Sequence, residues 1–174
     1  KDMAIKESII IVVLSVMISL IVNVFSPNSI PIIGQYRDLH TGDGPIVPPD
    51  SGPNDPPFIA VDVAELDFSQ NAAVFIDARD PDEFECSTIP GSINIPFEEL
   101  PEGDLGLYID SCLGGVDKNQ RIITFCSGEE CDLSLHLARN MQALGYTNLA
   151  IFFGGSREWE KFGLEMERRK DCGE

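Results

Sequence analysis

The sequence predicts an α/β domain with a mainly parallel sheet flanked by helices. Three observations carry that prediction. Short apolar, β-branched runs recur at residues 73–77 (AVFID), 121–125 (RIITF) and 149–153 (LAIFF), the pattern of strands buried on both faces. Helical patterns alternate with them, most clearly Leu133, Leu137, Met141 and Leu144 ahead of Gly145, as in repeated strand–helix units. The first two runs lead into Asp77 and Cys126. Beyond the carboxyl ends of parallel strands is where such sheets keep their functional residues.

Taken in order, the chain divides into residues 1–26, 27–57 and 58–174. From Ser8 to Phe25 it reads SIIIVVLSVMISLIVNVF, without a charge. As a helix this stretch is roughly 27 Å long, close to the hydrocarbon thickness of a bilayer. Lys1 and Lys6 precede it, and the next basic residue is Arg37. The expectation is a single-pass, N-in signal anchor with the remainder on the extracytoplasmic side. No Ala-x-Ala-like site follows the run, which argues against a cleaved signal peptide. Residues 27–57 hold eight of the twelve prolines and read as a semi-extended tether. Within it, IPIIGQY (residues 30–36) suits a membrane surface or a neighbouring subunit equally well.

The globular domain is expected from residue 58. Residues 59–61 suit a short strand and 63–68 a helical or turn segment. The strand at 73–77 leads to a helix opening at Pro81 with acidic Asp82 and Glu83 in its first turn. Residues 93–95 are strand-like and 97–100 a short helix. The strand at 121–125, the helix from about Asp132 to Gly145, the strand at 149–153, a Gly154-Gly155 turn and a helix over 157–162 complete the domain. Trp159, Phe152, Phe153 and Phe162 are expected in the core.

The formal net charge is −17, which serves solubility and excludes a nucleic-acid partner, since phosphate binding requires clustered Lys and Arg. Two histidines, His40 and His136, are too few for a His-based metal site. The five cysteines, Cys86, Cys112, Cys126, Cys131 and Cys172, contain no Cys-x-x-Cys pair, so zinc and a thioredoxin motif are both disfavoured. The expectation is no metal and no cofactor.

Cys126 is the candidate nucleophile. It follows a buried strand, under a short loop that feeds a helix N-terminus, where main-chain N–H groups converge. Such a field lowers a thiol's pKa.

The chain resembles the rhodanese-like family from about Ala60 to Glu167, on three ordered matches. The first is DARDPDEF (residues 77–84), continuing to IPGSINIP (89–96). The second is Cys126 with its loop. The third is GGSREW (154–159), with Gly163 behind it. The resemblance implies that Cys126 takes a sulfane sulfur from a donor and passes it, as a persulfide, to a nucleophilic acceptor. It also implies that Ser127, Gly128, Glu129, Glu130 and Cys131 cradle the outer sulfur through their backbone. Loops of this family often carry an arginine near the cysteine. Here Glu129 and Glu130 make the mouth acidic, which disfavours thiosulfate and favours a neutral or protein-borne donor. Thr88 stands where the family often has a histidine.

Two readings of Cys131 stay open: a small residue at a helix start, or a resolving thiol that closes a disulfide with Cys126. Asp77 and Arg79 read as a structural pair near the site, and His136 as an i,i+4 partner of Asp132. A phosphatase on the same fold needs an arginine six residues after the nucleophile, and that position is Asp132. Two alternatives to the sulfurtransferase remain. One is a thiol–disulfide oxidoreductase using Cys126 and Cys131; the other is a non-catalytic accessory subunit of a membrane complex. In an oxidising compartment two of Cys86, Cys112 and Cys172 can pair, but the sequence does not say which.

Overall fold

The computed structural model describes residues 2–25 and 44–172. The expectations for Lys1, Arg37, His40, IPIIGQY and the tether between residues 27 and 43 lie outside them. The chain forms two compact units, divided between Asp38 and Leu39.

The first unit contains helix α1 (Asp2–Phe25). Its described side chains are residues 6, 7, 11–19 and 22. Among the described residues no helix is long and apolar enough to cross a membrane. The apolar residues 11–14 are all exposed. Four consecutive helical positions point in all directions, so this stretch of α1 has no polar face.

The second unit has the element order α2 (Val61–Ser69), β1 (Val74–Asp77), α3 (Pro81–Cys86), β2 (Ile93–Asn94), a 3-10 turn (Phe97–Glu99), α4 (Leu105–Cys112), β3 (Ile122–Phe125), α5 (Leu133–Ala143), β4 (Leu149–Phe152) and α6 (Gly155–Lys161). The four strands are parallel, in the order β2-β1-β3-β4. The register places Asp77 beside Phe125, and Phe125 beside Phe152.

Strand alternation splits the core between two faces. Phe75, Ile123, Phe125 and Phe152 meet Ala64 of α2 and Trp159 of α6. On the other face Ile76 and Ile122 meet Ile109 of α4 and Leu137 and Met141 of α5. Both faces are therefore covered, which is why every β3 and β4 position is buried. Helix α4, absent from the sequence-based reading, starts where the Asp104 carboxylate accepts the Leu107 N–H at 2.9 Å, an ordinary N-cap bond.

Several expectations change. Residues 59–61 are not a strand, because Val61 already opens α2. What precedes it is a parallel bridge between Phe58 and Ile151, in which Ile59 donates to the Ile151 carbonyl at 2.9 Å. Phe162 is exposed, not core, since it lies at the end of α6 beyond the turn that buries Trp159. The globular unit also begins before residue 58. Residues 44–57, read as tether, form a strap on the domain. Ile46 packs with Leu135, Ala138, Ile151 and Phe153. Arg139 of α5 grips Asp55 through two bonds of 2.8 Å and the Asp50 carbonyl at 3.1 Å. Proline-rich sequence lacks donors for a ladder but packs well enough when side chains reach its carbonyls.

A second strap closes the C-terminal end. Thr88 and Glu167 exchange main-chain bonds of 2.9 Å, Arg169 lies over the Phe84 ring at 4.4 Å, and Cys172 is joined to Cys86 by a disulfide. That pairing settles the cysteine question left open by the sequence. Cys112, Cys126 and Cys131 are free thiols.

Candidate functional site

The site lies at the carboxyl end of β3. Cys126 follows the strand directly and is fully buried. Residues 127–132 then turn into α5. Helix α6 holds this loop from behind: Ser156 and Arg157 donate main-chain bonds to the Cys126 and Ser127 carbonyls at 2.9 and 3.1 Å. The approach requires glycine. Gly155 has φ +60°, and a Cβ there would stand 2.2 Å from the Cys126 carbonyl oxygen. The Gly154-Gly155 turn is therefore a close-contact element of the site.

The expectation of a lowered Cys126 pKa is corrected. Burial, chiefly, pushes this thiol well above the usual range. Its proton is directed at the Cys131 carbonyl oxygen, at 2.8 Å. The Gly128 N–H and the Ser134 hydroxyl, the latter at 3.6 Å, act in the opposite direction but do not outweigh burial. A desolvated anion costs more than these donors return.

The lowered thiol is Cys131, at about 6. Its largest support is the neighbouring Cys126 thiol. The N–H groups of Leu133 and Ser127 and the Ser127 hydroxyl add to it, against partial burial. Donors converge in this loop as expected, but mostly on the second sulfur. Of the proposed cradle, Gly128 faces Cys126 and Ser127 serves Cys131. The Cys131 N–H is engaged by the Gly128 carbonyl at 2.8 Å. Glu129 is half-buried and Glu130 exposed at the rim.

Asp77 and Arg79 form a buried pair under the site, linking through Arg79 Nε (2.9 Å) and through a second contact between Nη2 and Oδ2. Thr88 donates to the same carboxylate at 2.9 Å, which accounts for a hydroxyl at that position. The main chain beside this pair joins the site's strand: Ala78 donates to the Phe125 carbonyl. His136 reaches Asp132 at 3.1 Å and stacks on Phe97.

Two residues near the loop escape sequence reasoning. Ser134 is fully buried in the first turn of α5, and its signal was a small polar residue on an otherwise apolar face. The stem of Arg157 lies against the loop, with Cβ and Cδ each 3.7 Å from where a Gly128 side chain would begin. No local sequence signal marks it, because the contact joins two loops distant in the chain.

A fully parallel sheet covered on both faces, with a cysteine under a tight loop at the end of a central strand, defines an α/β domain of the loop-thiol class. The chain belongs to the rhodanese-like domain family, whose match covers residues 60–162. It is 28% identical over 92 residues to the adenylyltransferase and sulfurtransferase UBA4 of Candida glabrata, covering 51% of this chain and 21% of that protein. It is 27% identical over 95 residues to the thiosulfate:glutathione sulfurtransferase of Saccharomyces cerevisiae, covering 52% of this chain and 66% of that protein. Among solved structures it is similar to a thiosulfate sulfurtransferase from Pseudomonas aeruginosa (TM-score 0.54, 25% identity, 66% of this chain and 21% of that one). The human single-domain sulfurtransferase TSTD1 shares the fold (TM-score 0.50, 23% identity, 60% and 96%). The chain thus spans less than two thirds of each of the two sequence relatives.

Proposed function

We propose that this protein is a sulfurtransferase that carries sulfane sulfur as a persulfide on Cys126. The observation that supports this most is the position of Cys126: it sits at the end of β3, below a loop held shut by the Gly154-Gly155 turn, in a domain of the rhodanese-like family. Two relatives are named as sulfurtransferases. The acidic rim of Glu129 and Glu130 favours a neutral or protein-borne donor over thiosulfate. The uncharged sequence of residues 8–25, several of whose side chains lie outside the described ones, supports a single-pass anchor with the domain on the extracytoplasmic side. The Cys86–Cys172 disulfide supports that placement, because such bonds persist in oxidising compartments. A membrane partner is then the natural sulfur donor or acceptor.

The test is intact mass after incubating the full chain in detergent with thiosulfate and, separately, polysulfide. A gain of one sulfur is expected in Cys131→Ser, which lacks the second loop thiol, and is expected to disappear when Cys126→Ser is added. An adduct that survives the added substitution, or none in Cys131→Ser with either donor, sinks the reading. A second reading, thiol–disulfide oxidoreductase, draws support from the contact of Cys126 Sγ with the residue 131 carbonyl at 2.8 Å, which sets that sulfur against the backbone of the second cysteine. It predicts a Cys126–Cys131 disulfide after mild oxidation, which peptide mapping would detect.

A further inference from the structure

We propose that Cys131 resolves the Cys126 persulfide, closing a Cys126–Cys131 disulfide and releasing the sulfane sulfur as hydrosulfide. This rests on the persulfide reading above and specifies the fate of the sulfur. The domain then acts as a reductase of sulfane sulfur, in addition to carrying it.

Three observations at the loop carry the inference. The Cys126 thiol donates to the carbonyl of residue 131 at 2.8 Å, so its sulfur already lies against the backbone of its partner. The two side chains also influence each other's ionisation, the Cys126 thiol favouring the Cys131 thiolate. The two sulfurs differ in exposure: Cys126 is fully buried and Cys131 half-buried. The inner thiol is suited to hold a reactive sulfur away from water. The outer thiol has its anion stabilised by the Ser127 and Leu133 N–H groups and by the Ser127 hydroxyl. A thiolate at neutral pH is the competent attacking form. Cys112 provides the contrast: it is also free and half-buried, but it closes α4 and packs against the core around Ile109 and Leu113.

The step balances without an external oxidant. The Cys131 thiolate attacks Sγ of the neutral Cys126 persulfide, and a bond forms between the two Sγ atoms. The bond from Cys126 Sγ to the outer sulfur breaks. The outer sulfur leaves as hydrosulfide with the bonding electron pair and the persulfide proton. The two cysteine sulfurs are oxidised to a disulfide, and the sulfane sulfur is reduced to sulfide. A dithiol reductant resets the pair by ordinary exchange.

The experiment uses the full chain in detergent. It is reduced, freed of reductant under anaerobic conditions and exposed to excess thiosulfate, whose other product is sulfite, so that any sulfide reports resolution alone. The wild type is expected to lose two hydrogens and release about one sulfide per chain, with peptide mapping locating the new bond between residues 126 and 131. Cys131→Ser and Cys131→Ala are expected to gain one sulfur atom and release only background sulfide. A wild type that keeps the added sulfur, with Cys131 still alkylatable, overturns the resolving role and leaves the carrier reading standing. If neither the wild type nor the Cys131 variants change mass with thiosulfate or with polysulfide, the carrier reading falls and this one with it.

Discussion

The Cys126 thiol points its proton at the main-chain carbonyl of Cys131, 2.8 Å away. Burial, chiefly, inverts the expectation drawn from the strand–loop–helix pattern, and this contact acts in the same direction. A carbonyl oxygen facing a buried sulfur opposes ionisation there. The N–H groups that the same pattern predicts stabilise the neighbouring sulfur instead. Acidity and burial are thus divided between two cysteines five positions apart.

Alkylation should report that division. Cys131 has its pKa lowered from the ordinary 9.0 to about 6, so its thiolate predominates above about 6 and is lost as pH falls through that value. Its reaction with iodoacetamide is expected to rise with pH through about 6 and to precede that of Cys126. Peptide mapping of a time course checks the order. Faster labelling of Cys126 at neutral pH would contradict the assignment.

Much of the fold was legible because it depends on local pattern. The strands at β1, β3 and β4 are continuous apolar runs, and α5 shows its periodicity over three turns. The Cys126 loop was legible for the same reason. What was hidden depends on tertiary contact. The strap at residues 44–57 looks like a tether because its prolines suppress local structure, yet Arg139, more than eighty positions away, fixes it through Asp55. The pKa of Cys126 was misjudged because burial, which outweighs the loop donors, is not written in local sequence. The Cys86–Cys172 pairing likewise required the C-terminal strap to be placed beside α3.

Gly155→Ala should damage the site through the backbone. The new Cβ would fall 2.2 Å from the Cys126 carbonyl oxygen, at φ +60°. Overpacking and left-handed strain together are expected to cost about 1–3 kcal/mol. Urea denaturation measures the loss, and persulfide loading should fall with it. Wild-type stability in Gly155→Ala would mean that α6 does not clamp the loop as described.

Arg79→Ala should be more destabilising than a surface change. It strands the Asp77 carboxylate, which is fully buried and otherwise retains Thr88 and the residue 79 N–H. Breaking one side of a buried pair costs about 3–5 kcal/mol. The double variant Asp77→Asn/Arg79→Ala is expected to recover part of that loss. Equal stability of the single and double variants would argue against coupling between the two groups.

Cys172→Ser should loosen the C-terminal strap without touching the loop. The bond closes 86 residues of chain, and losing such a link typically costs about 2–4 kcal/mol. Thermal melts with and without reductant are expected to differ for the wild type and to coincide for the variant. A wild-type melt indifferent to reductant would show that the bond contributes nothing to stability.

Arg157 supplies a positive charge that the loop itself lacks. Its stem rests against Gly128, next in the chain to Glu129 and Glu130, and its side chain is exposed. An anionic sulfur donor approaching Cys126 meets two carboxylates and this guanidinium together. Removing the cation should therefore penalise anionic donors selectively. Because the group is exposed and screened, Arg157→Ala is expected to lower kcat/KM for thiosulfate only about two- to fivefold, chiefly through KM. Arg157→Glu should lower it further, and added salt should shrink both differences. A neutral organic donor assayed in parallel should be affected by neither substitution. If both donors lose activity equally, Arg157 acts by holding the loop in place, and its charge does not select the donor.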